Sequence, residues 1–284
     1  MGSLLETSNR IDQVAASPLL VTDLERCFFY HTFDVPGYRT VEGEWDLRGG
    51  EDAYLGNVVL EGKRVLELGT ADGFFTFHME RRGAEVISYD LSPELNWDAV
   101  PFARPLDDRG RDVEADWVRT KDRFQDRISK LNNAYWLCHR ATGSGARMVY
   151  GDVYSVPPEI GNVDVTTFGA LLLHTRDPFA AMASAVRLTS ETVIVTEQLA
   201  RVHWPPALAW TSNLVPRRLR KPAMRFLPDW HGSQGADGWW RLSPDIIVAF
   251  LGVLGFERTT VTYHSQLYKG SKRKMFSVVG RRTS

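Results

Sequence analysis

Strand-length apolar runs alternate with stretches of helical periodicity along most of the chain. The clearest unit is Lys63–Leu91, in which an apolar run at Arg64–Leu68, a helical pattern that Gly83 ends, and a second apolar run at Val86–Tyr89 follow one another. Short apolar runs that alternate with helices are typical of parallel strands joined by crossover helices. The pattern therefore predicts an α/β protein with a parallel sheet.

The same alternation continues towards the carboxyl end. Further strands are predicted at Arg147–Tyr150, Val163–Phe168, Thr192–Thr196, Phe256–Tyr263 and Lys274–Gly280, with a connecting segment from His264 to Lys274 between the last two. Helices are predicted at Leu19–Tyr30, Val113–Arg140, Phe179–Leu188 and Pro244–Leu254. Ser17-Pro18 and Ser243-Pro244 favour two of these helix starts, because serine is a preferred N-cap and proline suits the first helical position. Asp177 is predicted to cap the helix after Pro178, and the charged face of the long helix, which includes Arg127, is predicted to be solvated.

Glycines mark the turn after the first strand of the clearest unit, Gly69-Thr70-Ala71-Asp72-Gly73. Glycine has no Cβ, so Gly69 and Gly73 allow the backbone to approach a ligand closely. A helix that begins near Gly73 directs free N–H groups and the positive end of its dipole at the turn. Asp90 follows Gly73 by seventeen residues and ends the second strand, where its carboxylate can accept both hydroxyls of a ribose. The layout predicts a nucleoside-binding site.

The spacing of the glycines argues against a dinucleotide ligand. Dinucleotide sites carry G-x-G-x-x-G, whose middle glycine admits the pyrophosphate. This turn is G-x-x-x-G, with Ala71 after Thr70. We therefore expect a nucleoside ligand without phosphates.

Composition narrows the class of protein. The 284 residues are 43% hydrophobic with a formal net charge of −1, which predicts one large domain or one domain with an insertion. A near-neutral chain gives no indication of a nucleic-acid or membrane partner, and no apolar run reaches membrane-spanning length. The first fifteen residues lack the apolar region of a secretory signal. Cys27 and Cys138 are expected to be buried thiols in a reducing cytosol, so we expect a cytoplasmic protein without a zinc site.

Two aromatic-rich segments lie outside the alternating pattern. The segment before the first strand is predicted to form a lid over the sheet, with Tyr30, His31 and Trp45 as its candidates for substrate contact. Residues 199–241 hold five of the nine tryptophans, which predicts either a cap over the substrate or a small satellite core. The candidates for substrate contact there are Trp204, Trp230, Trp239 and Arg217. Arg217 belongs to a basic cluster that is either an anion site or a solvated face.

The motifs resemble those of one enzyme class. E-x-G-x-x-x-G with a partner acid at the end of the second strand resembles motif I of class I S-adenosylmethionine (SAM) methyltransferases. FYHTFDVPG…WDLRG, FGALLLHTRDP and WW-x-x-SPD…LGF resemble one group within the class. This group includes the tRNA wobble-uridine carboxymethyltransferases and related enzymes of bacterial natural-product pathways. The resemblance covers about residues 28–282.

The resemblance implies a fold and a division of the chain. The fold is α/β, with a Rossmann-like, doubly wound, seven-stranded, mostly parallel sheet that ends in an antiparallel strand pair. Residues 1–60 would form an N-terminal helix and lid, and residues 61–198 a SAM-binding core. Residues 199–241 would form the cap after the fifth strand, and residues 242–284 the last helix and strand pair.

The resemblance also implies SAM as the cofactor and S-adenosylhomocysteine (SAH) as the product. The residues expected to bind SAM are Glu67, Gly69, Thr70 and Gly73 at its methionine part, Asp90 with Leu91 at its ribose, Asp152 and Val153 at its adenine, and His174 in its pocket. The tRNA enzymes have G-V-L-Y-H after the fourth strand, and its tyrosine helps to hold the extra carboxylate of carboxy-SAM. This chain has Leu173 before His174, which favours plain SAM.

In-line methyl transfer to a hydroxyl or an acidic carbon can require a base. His174 is the first candidate, because it follows the fourth strand and a histidine titrates near neutral pH. The alternative for His174 is a residue that only lines the SAM pocket. Glu197, at the end of the fifth strand, and His31 are further candidates, and the alternative for His31 is a hydrogen-bonded lid histidine. His203 and His231, in the predicted cap, are secondary candidates for the base.

These observations predict a SAM-dependent methyltransferase that acts at oxygen or activated carbon of a small molecule, an intermediate of bacterial specialised metabolism. The alternative is an RNA-modifying enzyme of the same fold, which the basic residues at 217–225 and 272–274 keep open. RNA binding needs many phosphate contacts, and a neutral chain makes it the weaker alternative. A non-catalytic SAM-binding protein is the third hypothesis. No metal and no membrane partner are expected, and the sequence leaves a homo-oligomer open.

Overall fold

The computed structural model describes residues 10–102, 113–199, 222–229 and 236–283, with the backbone alone over residues 113–120. Several predicted contact residues lie outside the described residues. They are Trp204, Arg217, Trp230, His203 and His231. The roles proposed for them, and most of the predicted cap, therefore stay predictions.

The strands and helices follow the predicted alternation. The strands are β1 (Phe33–Asp34), β2 (Thr40–Val41), β3 (Trp45–Asp46), β4 (Arg64–Leu68), β5 (Glu85–Asp90), β6 (Arg147–Tyr150), β7 (Val163–Gly169), β8 (Thr189–Gln198), β9 (Met224–Phe226), β10 (Trp240–Leu242), β11 (Arg258–Tyr268) and β12 (Ser271–Arg281). The α-helices are α1 (Glu51–Tyr54), α2 (Phe74–Arg81), α3 (Val113–Thr142), α4 (Pro178–Val186) and α5 (Pro244–Val253). Short 3-10 helices span Leu24–Arg26, Pro158–Ile160 and Leu172–His174.

Eight strands form one sheet in the order β3-β11-β12-β8-β7-β4-β5-β6. The five strands from β4 to β8 run parallel, whereas β12 is antiparallel to β8, β11 to β12 and β3 to β11. This order confirms the doubly wound, mostly parallel sheet with an antiparallel pair at its end. The chain leaves β4 towards β5 on one side and later returns to β7 on the other side. Ligands of doubly wound folds bind at such a switch point, beyond the carboxyl ends of the strands.

The central strands are buried on both faces, as continuous apolar runs predict. In β4, Val65 and Leu66 have no exposed surface. Leu66 belongs to a core cluster that includes Met182 of α4 and Leu251 of α5. Val65 belongs to a second cluster that includes Phe77 of α2 and residues of α3. Helices therefore cover both faces of the sheet and leave its carboxyl edge for a site.

Two predicted helix caps are confirmed. The Asp177 carboxylate accepts a hydrogen bond from the backbone N–H of Ala180 at 2.9 Å, and Pro178 occupies the first helical position of α4. The Ser243 hydroxyl accepts one from the N–H of Ile246 at 3.3 Å at the start of α5. Each cap satisfies an N–H group that the first helical turn leaves without a partner.

The helix predicted at Leu19–Tyr30 is wrong. Only the 3-10 turn Leu24–Arg26 forms there, capped by the Asp23 side chain, and the rest is neither helix nor strand. The Phe28 N–H donates to the Lys130 carbonyl of α3 at 3.0 Å. A contact with another element therefore replaces the bonds of a helix, and the β-branched Val21-Thr22 pair before Asp23 favours the extended form.

The edge of the sheet also differs from the prediction. The connecting segment predicted at residues 264–274 is wrong, because β11 and β12 continue to a two-residue turn at Lys269-Gly270. Both turn residues have positive φ, 47° and 73°, as tight hairpin turns require. Trp45 and Asp46, from the predicted lid, pair with β11 as an eighth strand. The seven predicted strands are thus extended by a short edge strand.

None of the helices in the described part of the chain is both long and apolar enough to span a membrane.

Candidate active site

A cavity of about 530 Å³, the main cavity, opens at the carboxyl edge of the sheet. Gly69, Asp90, Gly151 and Gly169, at or just after the ends of β4, β5, β6 and β7, all border it. Its volume is typical of small-molecule sites. A small cavity of about 40 Å³ adjoins it and shares Gly69 and Gly169 in its lining. The site therefore lies at the switch point between β4 and β7.

The turn after β4 forms one wall of the main cavity. Gly69 and Ala71 have positive φ, 75° and 52°, and both line the cavity. A Cβ on Gly69 would lie 3.3 Å from the Leu171 side chain, so this glycine keeps the wall open. Gly73 also has positive φ, but a Cβ there would lie 2.5 Å from the Phe77 ring, and Gly73 is not among the residues that line either cavity. Gly73 packs closely against Phe77 at the start of α2, and its contact with a ligand stays a prediction.

Asp90 fixes the position of this turn. One carboxylate oxygen accepts a hydrogen bond from the Ala71 N–H and the other accepts one from the Leu91 N–H, both at 2.7 Å. Burial raises the pKa of the Asp90 carboxyl, and these two N–H groups oppose the shift. Asp90 and Leu91 both line the main cavity. Each carboxylate oxygen keeps a lone pair with which a ligand hydroxyl can bond.

The acid after β6 lies on the same wall. Asp152 and Val153 line the main cavity. One Asp152 oxygen accepts from the Tyr154 N–H at 2.8 Å, and the Tyr89 hydroxyl donates to the Asp152 carbonyl at 2.8 Å. These bonds fix the acid and Val153 beside the ends of β5 and β6, as sequence analysis expected.

Glu67 is buried beneath the turn and lines the small cavity. One of its carboxylate oxygens accepts hydrogen bonds from the hydroxyls of Thr70, at 3.0 Å, and Thr76. Burial raises the pKa of Glu67 to about 8, and the threonine bonds only partly oppose the shift. The Thr70 hydroxyl is thus bonded to the protein, so the backbone of Thr70 is what it offers to a ligand.

His31 and Asp72 form a buried pair at the small cavity. Asp72 is fully buried, and its carboxylate lies 2.6 Å from His31 Nδ1. The other oxygen accepts from the N–H groups of Tyr30 at 2.8 Å and His31 at 2.7 Å. In the neutral imidazole, a proton on Nδ1 leaves the lone pair on Nε2. Among the described residues, no side chain or backbone group bonds to Nε2.

Of the other two predicted bases, His174 lies on the loop after β7 and Glu197 lies near the end of β8. His174 lines the main cavity, and its Nδ1 bonds to the Asp237 carbonyl. Glu197 is buried, lines neither cavity, and accepts from the N–H groups of Leu172 at 2.9 Å and Leu173 at 3.3 Å. Burial raises the pKa of Glu197 to about 8. Glu197 therefore holds the loop that carries His174 and does not face the cavities.

Two of the three aromatic candidates in the described part of the chain line the cavities, and the third does not. Tyr30 and Trp45 line both cavities, and burial raises the pKa of Tyr30 to about 12. Trp239 is not among the lining residues. Its ring N–H donates to the Asp98 carbonyl, and its backbone N–H donates to the Leu173 carbonyl at 2.9 Å. Trp239 thus joins the loop after β5 to the loop after β7.

Sequence reasoning missed several lining residues. They are Trp97, Asp98, Arg127, Tyr268 and Lys269. The solvated face predicted for Arg127 is wrong, because its guanidinium lies 4.4 Å from the centre of the Phe28 ring and borders the main cavity. Asp72 could have been identified as a site residue from its place in the glycine turn. Nothing in the sequence indicates that its partner is His31, forty-one residues earlier. The described residues hold no cluster of three or more histidines, cysteines or acids suited to a metal ion.

Comparisons with known proteins support the fold. No protein-family model matches the chain, and no curated protein matches it either. The N-terminal domain of EvdMO1, solved in the presence of SAH and D-fucose, aligns with 100% of this chain and 98% of its own at 17% identity, with a TM-score of 0.51. Magnesium protoporphyrin IX methyltransferase (ChlM) from Synechocystis PCC 6803 with bound SAH aligns over 100% of both chains at 12% identity, but its TM-score of 0.46 is too low to carry an argument. Identity this low shows the fold alone. The chain shares the Rossmann-like fold of this EvdMO1 domain.

Proposed function

We propose that this protein is a SAM-dependent methyltransferase that acts on a small molecule. The observation that carries the proposal is the main cavity at the switch point, which is lined by Gly69 and Ala71 of the glycine turn together with Asp90 and Asp152. A glycine turn and two acids at successive strand ends match the methionine part, the ribose and the adenine of an adenosyl ligand. The absence of a middle glycine in the turn argues against a pyrophosphate.

The residues that line the cavity fit this cofactor. Asp90 would bind the ribose hydroxyls, with Leu91 beside it, and Asp152 and Val153 would contact the adenine. Glu67, beneath the turn, would face the amino-acid end from the small cavity. Leu173, which borders the main cavity, provides no hydroxyl for an extra carboxylate, and this supports plain SAM over carboxy-SAM.

When bound, SAM supplies an electrophilic methyl group on a sulfonium, and the protein has to orient the acceptor, exclude water and receive a proton. The site offers two histidines for the proton. His31 is buried, borders the small cavity, and has its ring fixed by the bond between Nδ1 and the Asp72 carboxylate. His174 borders the main cavity, and its Nδ1 bonds to the Asp237 carbonyl. We propose His31 Nε2 as the base that takes a proton from the acceptor, with His174 as the alternative.

The ligands of the structurally similar EvdMO1 domain support a small acceptor. EvdMO1 was solved with SAH and D-fucose, one an adenosyl ligand and the other a single sugar. The main cavity here has room for ligands of this size class. An acceptor from specialised metabolism, methylated at oxygen or activated carbon, is consistent with this size.

The test is calorimetry with SAH on the wild-type protein and on Asp90→Ala. The wild type should bind SAH, and the variant should bind at least about 100-fold more weakly, because charge-assisted hydrogen bonds to two hydroxyls are lost. Asp126→Ala, which removes an exposed carboxylate of α3, should leave the affinity unchanged. A wild-type protein that does not bind SAH would overturn the proposed function. An Asp90→Ala variant with full affinity would overturn the ribose assignment.

A further inference from the structure

One rim of the main cavity has two cations that share one carboxylate. Arg127 Nη2 of α3 and Lys269 Nζ of the β11–β12 turn each lie 3.3 Å from the same oxygen of Glu44. The Tyr268 hydroxyl lies 3.4 Å from the second oxygen. We call Arg127, Lys269 and Glu44 the cationic corner. All three residues line the main cavity.

The charges of the cationic corner do not balance. Among the described residues a single carboxylate, that of Glu44, contacts both cations, so the three side chains of the corner carry a net charge of +1. Both contacts are longer than the roughly 2.7–2.9 Å of a strong charge-assisted hydrogen bond, so neither cation is fully engaged. The start of β12 beside it adds further positive charge, since residues 271–274 contain three basic side chains and no acid. Arg273, one of these, lies 5.5 Å from the centre of the Tyr268 ring.

Aromatic rings surround the guanidinium of the cationic corner. Arg127 Cζ lies 4.4 Å from the ring centre of Phe28, 5.6 Å from that of Trp97 and 6.0 Å from that of Tyr30. Its Nε is buried and has no hydrogen-bond partner in the part of the chain that the structure describes. Aromatic rings packed around a guanidinium restrict its orientation. The planar guanidinium matches the geometry of a carboxylate or a phosphate.

These observations point to the chemistry of the acceptor. We propose that the methyl acceptor is a planar ring compound that carries an anionic group, a carboxylate or a phosphate, and that Arg127 and Lys269 bind this group. The aromatic rings of Trp97 and Tyr30 pack against the ring of the acceptor. Glu44 holds the two cations in place before the acceptor binds. This inference rests on the proposed function, because it assigns the acceptor of the same site.

Calorimetry on the full chain saturated with SAH tests the inference. The probes are 4-hydroxybenzoate and phenyl phosphate as anions, and 4-hydroxybenzamide as the neutral match. At least one anion should bind ten-fold or more tightly than the amide, and added salt should reduce this difference. Arg127→Gln and the more exposed Lys269→Gln should each lower the affinity for the anion and leave that for the amide unchanged. Arg82→Gln, on the exposed end of α2 and paired with Asp52, should change neither.

The outcomes separate this inference from the proposed function. A wild-type protein that fails to bind SAH refutes the proposed function. SAH binding with no preference for the anions over the amide refutes only the inference. If Arg127→Gln weakens SAH but not 5′-methylthioadenosine, which lacks the amino-acid carboxylate, the corner binds the cofactor and the inference is wrong. Salt-sensitive binding of unfractionated tRNA, without a preference among the small probes, would refute it in favour of an RNA acceptor.

Discussion

Three buried acidic side chains hold the three segments that border the cavities. Asp72 binds the backbone of Tyr30 and His31, Glu67 binds the hydroxyls of the glycine turn and α2, and Glu197 binds the loop after β7. A buried carboxylate is costly unless hydrogen bonds satisfy it, so each acid favours one arrangement of its segment. Asp72 and Glu197 therefore position the site without lining either cavity, whereas Glu67 also lines the small one.

The His31–Asp72 pair leads to a prediction about the base. His31→Gln should lower kcat for methyl transfer by about 100-fold or more, because a general base contributes this much and Gln cannot accept the proton. SAH affinity should stay within about three-fold of wild type, since His31 is assigned to the acceptor. The measurement is transfer of labelled methyl from SAM to the acceptor, with calorimetry for SAH.

His174→Gln is the matched variant for this prediction, because it removes the imidazole that borders the main cavity, whereas His31 borders the small one. Its kcat should fall less than that of His31→Gln. A full loss of kcat in His174→Gln together with normal turnover in His31→Gln would assign the base to His174.

At the scale of elements, Gly73 of the glycine turn can be compared with Gly37, which lies between β1 and β2. Gly73 and Gly37 both have positive φ, 84° and 76°, but a Cβ on Gly37 would meet open space whereas one on Gly73 would meet Phe77. Gly37→Ala should cost about 1–2 kcal/mol of stability from backbone strain alone. Gly73→Ala should cost a further 1–3 kcal/mol or so from overpacking. Urea unfolding of both variants measures the difference, and equal losses would show that α2 shifts to accommodate the methyl group.

Elements with a clean period could be predicted, and elements shaped by distant contacts could not. The apolar run of β4 and the Ser243-Pro244 start of α5 carry their own local signals, and both are confirmed. The segment at Leu19–Tyr30 has helix-like apolar spacing, yet it does not form a long helix, because it packs on α3 and the Phe28 N–H bonds to the Lys130 carbonyl there. The predicted end of β11 is too early, because its positions are mostly exposed or half-buried and the apolar–polar alternation of a strand is therefore weak there.

At the scale of the whole molecule, the candidate site shows the same division. The turn after β4 and the acids Asp90 and Asp152 lie at successive strand ends, so the adenosyl side could be proposed from one short motif and its period. The cationic corner joins three residues from the N-terminal segment, α3 and the β11–β12 turn. Residues 44, 127 and 269 are far apart in sequence and share no motif, so only the folded chain brings them together.

Two of the buried acids should also make the stability of the whole molecule depend on pH. Burial raises the pKa of Glu67 and Glu197 to about 8, whereas a glutamate in an unfolded chain titrates near about 4.3. Between these values the folded state binds more protons than the unfolded state, so the free energy of unfolding falls as pH rises. The contribution of each acid is fully present below about pH 4 and is lost as pH rises through about 8.

Glu197→Gln isolates one of these acids, because the amide oxygen can still accept from the N–H groups of Leu172 and Leu173 but does not ionise. The stability of this variant relative to wild type should rise from pH 5 to pH 8, by at most about 1.4 kcal/mol per pH unit. Glu191→Gln, on the same strand but half exposed and paired with Lys63, should show no such rise. Denaturant unfolding at each pH measures the difference. A difference between Glu197→Gln and wild type that stays constant or falls with pH would mean that Glu197 is ionised in the folded protein, and its hold on the His174 loop would then be that of a carboxylate.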